Sequence, residues 1–160
     1  MQEQLAATRS GGSHGSQAVL NPLQRCLIAA SSLMYLMCAQ TWLLYGFVNL
    51  SRVFVLVTAL SLAADSCLEP IAPSALPLCR TADRSVGAVA LVTSTLLNCT
   101  SLWNAVLSFS AVSSALFCLT RARAAAAASP HDRWPWVRWH FTWHAWGAFV
   151  LCRVTIAAQN

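Results

Sequence analysis

From residue 86 to residue 120 the chain has no Asp, Glu, Lys, Arg or His, and this stretch restricts the available folds more than any other feature. It is longer than one crossing of the hydrocarbon layer, which takes roughly 20 residues. A polar knot, Asn98-Cys99-Thr100-Ser101, lies near its middle. Two spans joined by a tight turn account for both facts. Composition points to the same solvent: 57% of residues are hydrophobic and only 9% charged, where a soluble domain carries roughly a quarter charged. A soluble fold of this size could not hydrate its own surface, so the bilayer is the medium in which it folds.

Three further apolar runs complete the pattern. Residues 26–48 form the first, 52–64 a shorter second that relies on its polar ends to reach both interfaces, and 140–157 the last. The fold class is therefore all-α, a multispan transmembrane bundle of about five helices near 26–48, 51–66, 84–99, 102–120 and 140–157. Residues 1–25 are polar and rich in Gly and Ser, which predicts a flexible tail. The first run starts too late and is too long for a cleaved leader, so it is expected to act as a signal anchor. The alanine tract 124–128 is expected to extend the fourth helix into an interfacial linker, and 158–160 form a short end.

The net charge of +5 comes from arginine alone. Arg9 and Arg25 lie in the tail, Arg80 and Arg84 in or beside the loop before the third span, and Arg121, Arg123, Arg133 and Arg138 between the last two. Only Arg52 and Arg153 fall on the other side. The positive-inside rule then places the N-terminus and both longer loops in the cytoplasm and the C-terminus outside. With the membrane accounted for, no basic patch remains for a nucleic acid. The triplets Asn49-Leu50-Ser51 and Asn98-Cys99-Thr100 fall in the two short outer loops, close to the membrane for glycosylation. Seven cysteines are scattered without a CxxC pair and read as small apolar fillers. Cys67 and Cys79 flank one loop and could pair, but this topology puts that loop in a reducing compartment.

In this topology Asp65, Asp83, His140 and His144 all lie at the cytoplasmic ends of their helices. His140 and His144 are one helical turn apart and share a face, at roughly 5–6 Å between Cβ atoms. That spacing suits two ligands of one metal, with a carboxylate from another helix as the third. Ser61 and Asp65 have the same spacing and point into the same space. The alternative is an interfacial aromatic belt, since Trp134, Trp136, Trp139, Trp143 and Trp146 surround the pair. Asp65 and Asp83 also read as helix-end residues, Asp83 suiting a helix N-terminus. His14 and His131, in the tail and a loop, receive no role.

The order of these motifs resembles the CREST superfamily of membrane proteins, and within it the transmembrane protein 8 and myomaker family. His140-Phe141-Thr142-Trp143-His144 resembles the His-x-x-x-His motif that opens the family's last helix. Asp83-Arg84-Ser85-Val86-Gly87 is similar to its Asp-x-x-Gly motif, with one more residue between Asp and Gly. Ser61-Leu62-Ala63-Ala64-Asp65-Ser66-Cys67 is similar to Ser-x-x-x-His-x-Cys, with Asp65 where the family has histidine. Ser31-Ser32-Leu33-Met34-Tyr35-Leu36 resembles the same branch's first helix. The family has seven helices, and this chain has room for about five. The resemblance implies a zinc ion held by Asp65, His140 and His144, with Ser61 and Asp83 orienting groups or shuttling protons. The implied activity is hydrolysis of a lipid amide or ester at the cytoplasmic face. Myomaker implies the alternative, a non-enzymatic protein that scaffolds or remodels membranes.

Overall fold

The computed structural model describes residues 20–67, 71–129 and 131–160. Among the described residues there is no strand, and the helices form five rods. The first rod is α1 (Pro22–Leu33) followed by α2 (Tyr35–Leu44); the second is α3 (Val48–Leu62), continued by a wide π-type turn over Ala63–Cys67. The remaining three are α4 (Leu76–Asn98), α5 (Leu102–Ala128) and α6 (Trp134–Gln159). Three segments, Pro22–Leu44, Val48–Ser66 and Leu102–Ala128, are long and apolar enough to cross a membrane. α4 and α6 match them in length but carry Arg80, Asp83 and Arg84, or Arg138, His140, His144 and Arg153, which lower their mean hydropathy.

The rods begin and end where local chemistry permits. Asn21 caps α1: its side chain accepts from the Gln24 N–H at 2.8 Å while the Gln24 side chain accepts from the Asn21 N–H at 3.0 Å. With Pro22 in the first turn, this reciprocal box starts the helix inside the segment expected to be tail. Residues 22–25 are therefore helical, and Leu20 is buried with Ile28 and Val137. The boundary between the first two rods also lies earlier than the apolar runs suggest. Gly46, at φ +82°, reverses the chain, and α3 begins at Val48. The second span, which looked short, thereby gains a full turn.

The polar knot becomes the α4–α5 turn. Ser101 Oγ accepts from the Asn104 N–H, and Asn104 Nδ2 donates to Thr100 Oγ1 at 2.8 Å, so the knot caps α5. Two helices, not one, occupy residues 86–120. α5 continues to Ala128 as expected for the alanine tract. α4 starts at Leu76 and α6 at Trp134, both earlier than expected at Asp83 and His140. Apolar runs mark contact with lipid, while helical backbone continues past the interface wherever Pro77 or Pro135 in a first turn allows it.

The buried core gathers around Trp42, which is fully enclosed, with Cys38, Phe54, Ala148 and Leu151 from α2, α3 and α6. α5 lies along α6 more extensively than any other pair, and α4 packs mainly on α3, so α4 and α5 diverge beyond their shared turn. Large apolar side chains such as Leu44, Leu102, Val89 and Phe109 point outward, as a lipid-facing surface requires. At the end opposite the candidate site, Asn98 Nδ2 donates to Thr155 Oγ1 at 3.0 Å, and both residues are fully buried. The triplet at Asn98 is therefore inaccessible to modification in the folded chain, whereas Asn49 is exposed.

Candidate metal centre

Four of the five rods bring chemistry-bearing residues to one end of the bundle. His140 and His144 stand one turn apart on α6, both buried, with ring centroids 4.5 Å apart. Asp65 reaches them from the π-type turn after α3, and its Oδ2 lies 3.0 Å from His140 Nε2. One ligand atom from each of Asp65, His140 and His144 lies within 4.8 Å of the other two. A zinc ion bonded to nitrogen and oxygen at about 2.0–2.2 Å in tetrahedral geometry sets its ligand atoms roughly 3.3–3.5 Å apart. The donor set and its spacing therefore fit such an ion after small rotations of the side chains. The π-type turn adds one residue to the last turn of the rod and carries the carboxylate; π-bulges recur at functional sites for this reason.

Sequence reasoning missed the floor of the site. His144 Nδ1 lies 3.2 Å from Ser31 Oγ and 3.5 Å from Ser32 Oγ, across from α1. The Ser31 and Ser32 hydroxyls both donate to the Ile28 carbonyl, at 2.7 and 3.2 Å. A hydroxyl has a single proton, so with that proton on Ile28 the serine oxygens can only accept from His144. His144 then carries its hydrogen on Nδ1, and Nε2 presents a lone pair toward Asp65 and His140. The Met34 N–H turns to the Ser31 carbonyl, and the rod breaks briefly between α1 and α2. Adjacent serines inside an apolar run were the available signal.

Aromatic rings enclose the pair. Trp136 lies 4.6 Å from the His140 ring, Trp143 4.7 Å and Tyr35 5.1 Å from the His144 ring. Trp136 and Trp143 therefore form part of the histidine enclosure. Trp139 faces away, toward Phe117 and the Arg121 guanidinium, and Trp146 donates to Ser114 Oγ at 2.9 Å. Ser61 and Asp83 form a second couple, with Ser61 Oγ donating to Asp83 Oδ1 at 2.5 Å between α3 and α4. Ser61, Asp65, Asp83 and His140 all line one cavity of about 510 Å³. This is within the range of small-molecule sites, roughly 300–1,000 Å³. His131 is exposed in the loop before α6, and His14 lies outside the described residues. Cys79 has a free thiol 3.7 Å from the Leu60 carbonyl, and the Cys67 side chain lies outside the described residues.

What these groups can do follows from their kinds. Two buried imidazoles and a half-buried carboxylate, walled by aromatics, are a donor set that could hold a divalent cation with one side open. The neighbouring Ser61–Asp83 couple offers a carboxylate already committed to one hydrogen bond and able to accept another. No protein-family model, curated protein or solved structure matches this chain.

Proposed function

We propose that this protein is a membrane-embedded, zinc-dependent lipid hydrolase, acting on an amide or ester at the cytoplasmic face. On this reading it is a reduced relative of the transmembrane protein 8 branch of the CREST superfamily. One observation carries the reading: Asp65 from the second rod and His140 and His144 from the last present ligand atoms to one point beside a cavity of about 510 Å³. The arginine distribution supports a cytoplasmic location for that end of the bundle.

Asp65, His140 and His144 would hold the ion, which when bound supplies a Lewis acid and an activated water. The remaining work belongs to the chain. Ser31 and Ser32 accept from His144 Nδ1 and keep Nε2 aimed inward. Asp83, steadied by the Ser61 hydroxyl, is the carboxylate placed to take a proton from a nucleophile in the cavity and return it to a leaving group. Trp136, Trp143 and Tyr35 exclude bulk water around the histidines. The third ligand is a carboxylate where the resembled family has histidine, and its extra negative charge makes the ion a weaker Lewis acid.

A second reading has its own support. The 3.0 Å contact between His140 Nε2 and Asp65 Oδ2 satisfies both groups with no ion between them. On that reading the pair is a structural latch between α3 and α6 in a membrane scaffold. Elemental analysis of detergent-purified protein separates the two. About one zinc per chain, lost in His140→Ala/His144→Ala, supports the hydrolase. Absence of metal from both proteins, purified with zinc supplied throughout, leaves the scaffold.

A further inference from the structure

The cavity beside the candidate metal centre has two chemically different halves. Its inner half is a wedge between α4 and α5, backed by α6 and lined by small and aliphatic residues including Gly87, Leu91, Val112, Ala115 and Leu119. The helices diverge there because α4 packs on α3 and α5 on α6. The outer half is lined by arginines from three helical segments: Arg80 and Arg84 on α4, Arg123 on α5 and Arg133 just before α6.

The charges at this mouth do not balance. Four guanidinium groups face two carboxylates: Asp65 is hydrogen-bonded to His140 with Arg80 in electrostatic range, and Asp83 to Ser61 with Arg84 in electrostatic range, which leaves the mouth with an excess of positive charge. Among the described residues none of the four arginines has an ion-pair partner. Arg133 lies over the Trp136 ring at 4.6 Å, and its Nε is buried with no hydrogen-bond acceptor. An unpaired buried guanidinium N–H is costly, so the site is built for an acceptor that the polypeptide does not supply. Arginine forks suit phosphate oxygens, which accept two parallel N–H bonds from one side chain. By contrast, Arg138 is exposed outside the cavity, and Arg121 stacks on Trp139 at 5.4 Å.

We propose that the cavity binds a lipid with an acidic, phosphate-bearing headgroup, the phosphate in the Arg80–Arg84–Arg123–Arg133 collar and one acyl chain in the α4–α5 wedge. Two features of the cavity set this occupant. The collar carries an excess of positive charge and a buried Arg133 Nε without an acceptor, and the wedge continuing from it is apolar and divergent. The occupancy stands apart from the hydrolytic reading, because it requires neither an ion nor turnover. If that reading holds as well, the collar defines the class of substrate.

The test uses full-length protein in neutral detergent and ether-linked single-chain lipids, which an amide or ester hydrolase cannot cleave. Native mass spectrometry would compare hexadecyl glycerol phosphate, the corresponding phosphocholine, and hexadecyl glycerol at equal concentration. The phosphate monoester should be retained about tenfold more than either of the others, the scale of one or two charge-assisted hydrogen bonds. Arg84→Gln and Arg123→Gln, both at exposed positions that leave the fold in place by circular dichroism, should each lower that retention by about threefold to tenfold. Arg138→Gln should leave it unchanged. Equal retention of all three lipids would overturn the proposal. So would equal losses in Arg84→Gln and Arg138→Gln, which would reduce the effect to surface charge. Competition by glycerol phosphate at the same concentration as the lipid would overturn the wedge and assign the collar to a soluble phosphate. Zinc content and hydrolysis of ester-linked lipid are read on the same samples, so failure of either reading is visible without the other.

Discussion

His144 Nδ1 and Ser31 Oγ lie 3.2 Å apart across the α1–α6 contact, and the serine proton is already given to Ile28. The histidine's tautomer is thus set by a residue on another helix that never touches the ligand position. Ser31→Ala should lower zinc affinity by about 10–100-fold, the usual consequence of losing a partner behind a metal-bound imidazole. Competition against a fluorescent chelator measures it, with circular dichroism as the check on folding. Unchanged affinity would mean that Ser32, at 3.5 Å, suffices to hold the ring.

The carboxylate at position 65 separates a ligand from a latch. Asp65→His should retain about one zinc per chain, because three imidazoles are an ordinary zinc set. Asp65→Asn should lose it, although asparagine can still hydrogen-bond His140. Equal metal content in both variants would remove Asp65 from the ligand set.

Asp83 is held by Ser61 and has no ligand contact among the described residues. Asp83→Asn should therefore keep native zinc content while hydrolytic turnover falls by about 10²–10⁴-fold, the range for loss of a general base. The pair of readouts matters. Metal lost along with activity would make Asp83 a ligand or a structural residue.

The α5–α6 contact depends on a small residue. A Cβ built on Gly147 would sit 3.7 Å from Ala115 Cβ, an ordinary contact, so Gly147→Ala should be tolerated. Gly147→Leu has no such room against α5 and should cost about 1–3 kcal/mol. Thermal unfolding in detergent would show the difference as a lowered midpoint for leucine only.

At the far end, Asn98 and Thr155 tie α4 to α6. Thr155→Val leaves the buried Asn98 amide without its acceptor. Hydrogen bonds between membrane helices are worth about 0.6 kcal/mol on average and up to about 1.7, which sets the expected loss. A double-mutant cycle with Asn98→Ala reports the coupling directly.

Much of this architecture was legible in the sequence because lipid imposes simple rules. The absence of charge over residues 86–120 required two spans, and the polar knot at 98–101 located the turn, which Ser101 then caps. His140 and His144 were visible by their spacing and Asp65 as the carboxylate at a rod end, whereas Asp83, expected to open its helix, lies two turns inside α4. The onsets of α1, α4 and α6 were misjudged because hydropathy reports where lipid begins, while Asn21, Pro77 and Pro135 decide where backbone can enter a helix. Ser31 and Ser32 were noticed only as part of a first-helix motif, and their place at the site was missed for a different reason. Serine in a membrane helix commonly returns its proton to its own backbone, and only the approach of α6 makes the same atoms an acceptor for His144. The arginine collar was read as a topology signal, and which guanidiniums turn inward depends on packing that no count of charges contains.

The divergence of α4 from α5 bears on how any ligand arrives. The gap lies between two rods whose outer faces carry exposed apolar side chains such as Val89, Phe109 and Leu116, so a ligand that enters it from the side comes from hydrocarbon. A molecule filling it moves within a two-dimensional solvent, and its supply is set by mole fraction in the leaflet. Diluting the membrane with inert lipid at constant total protein and ligand should therefore lower occupancy, while diluting the whole suspension with buffer should leave it nearly constant.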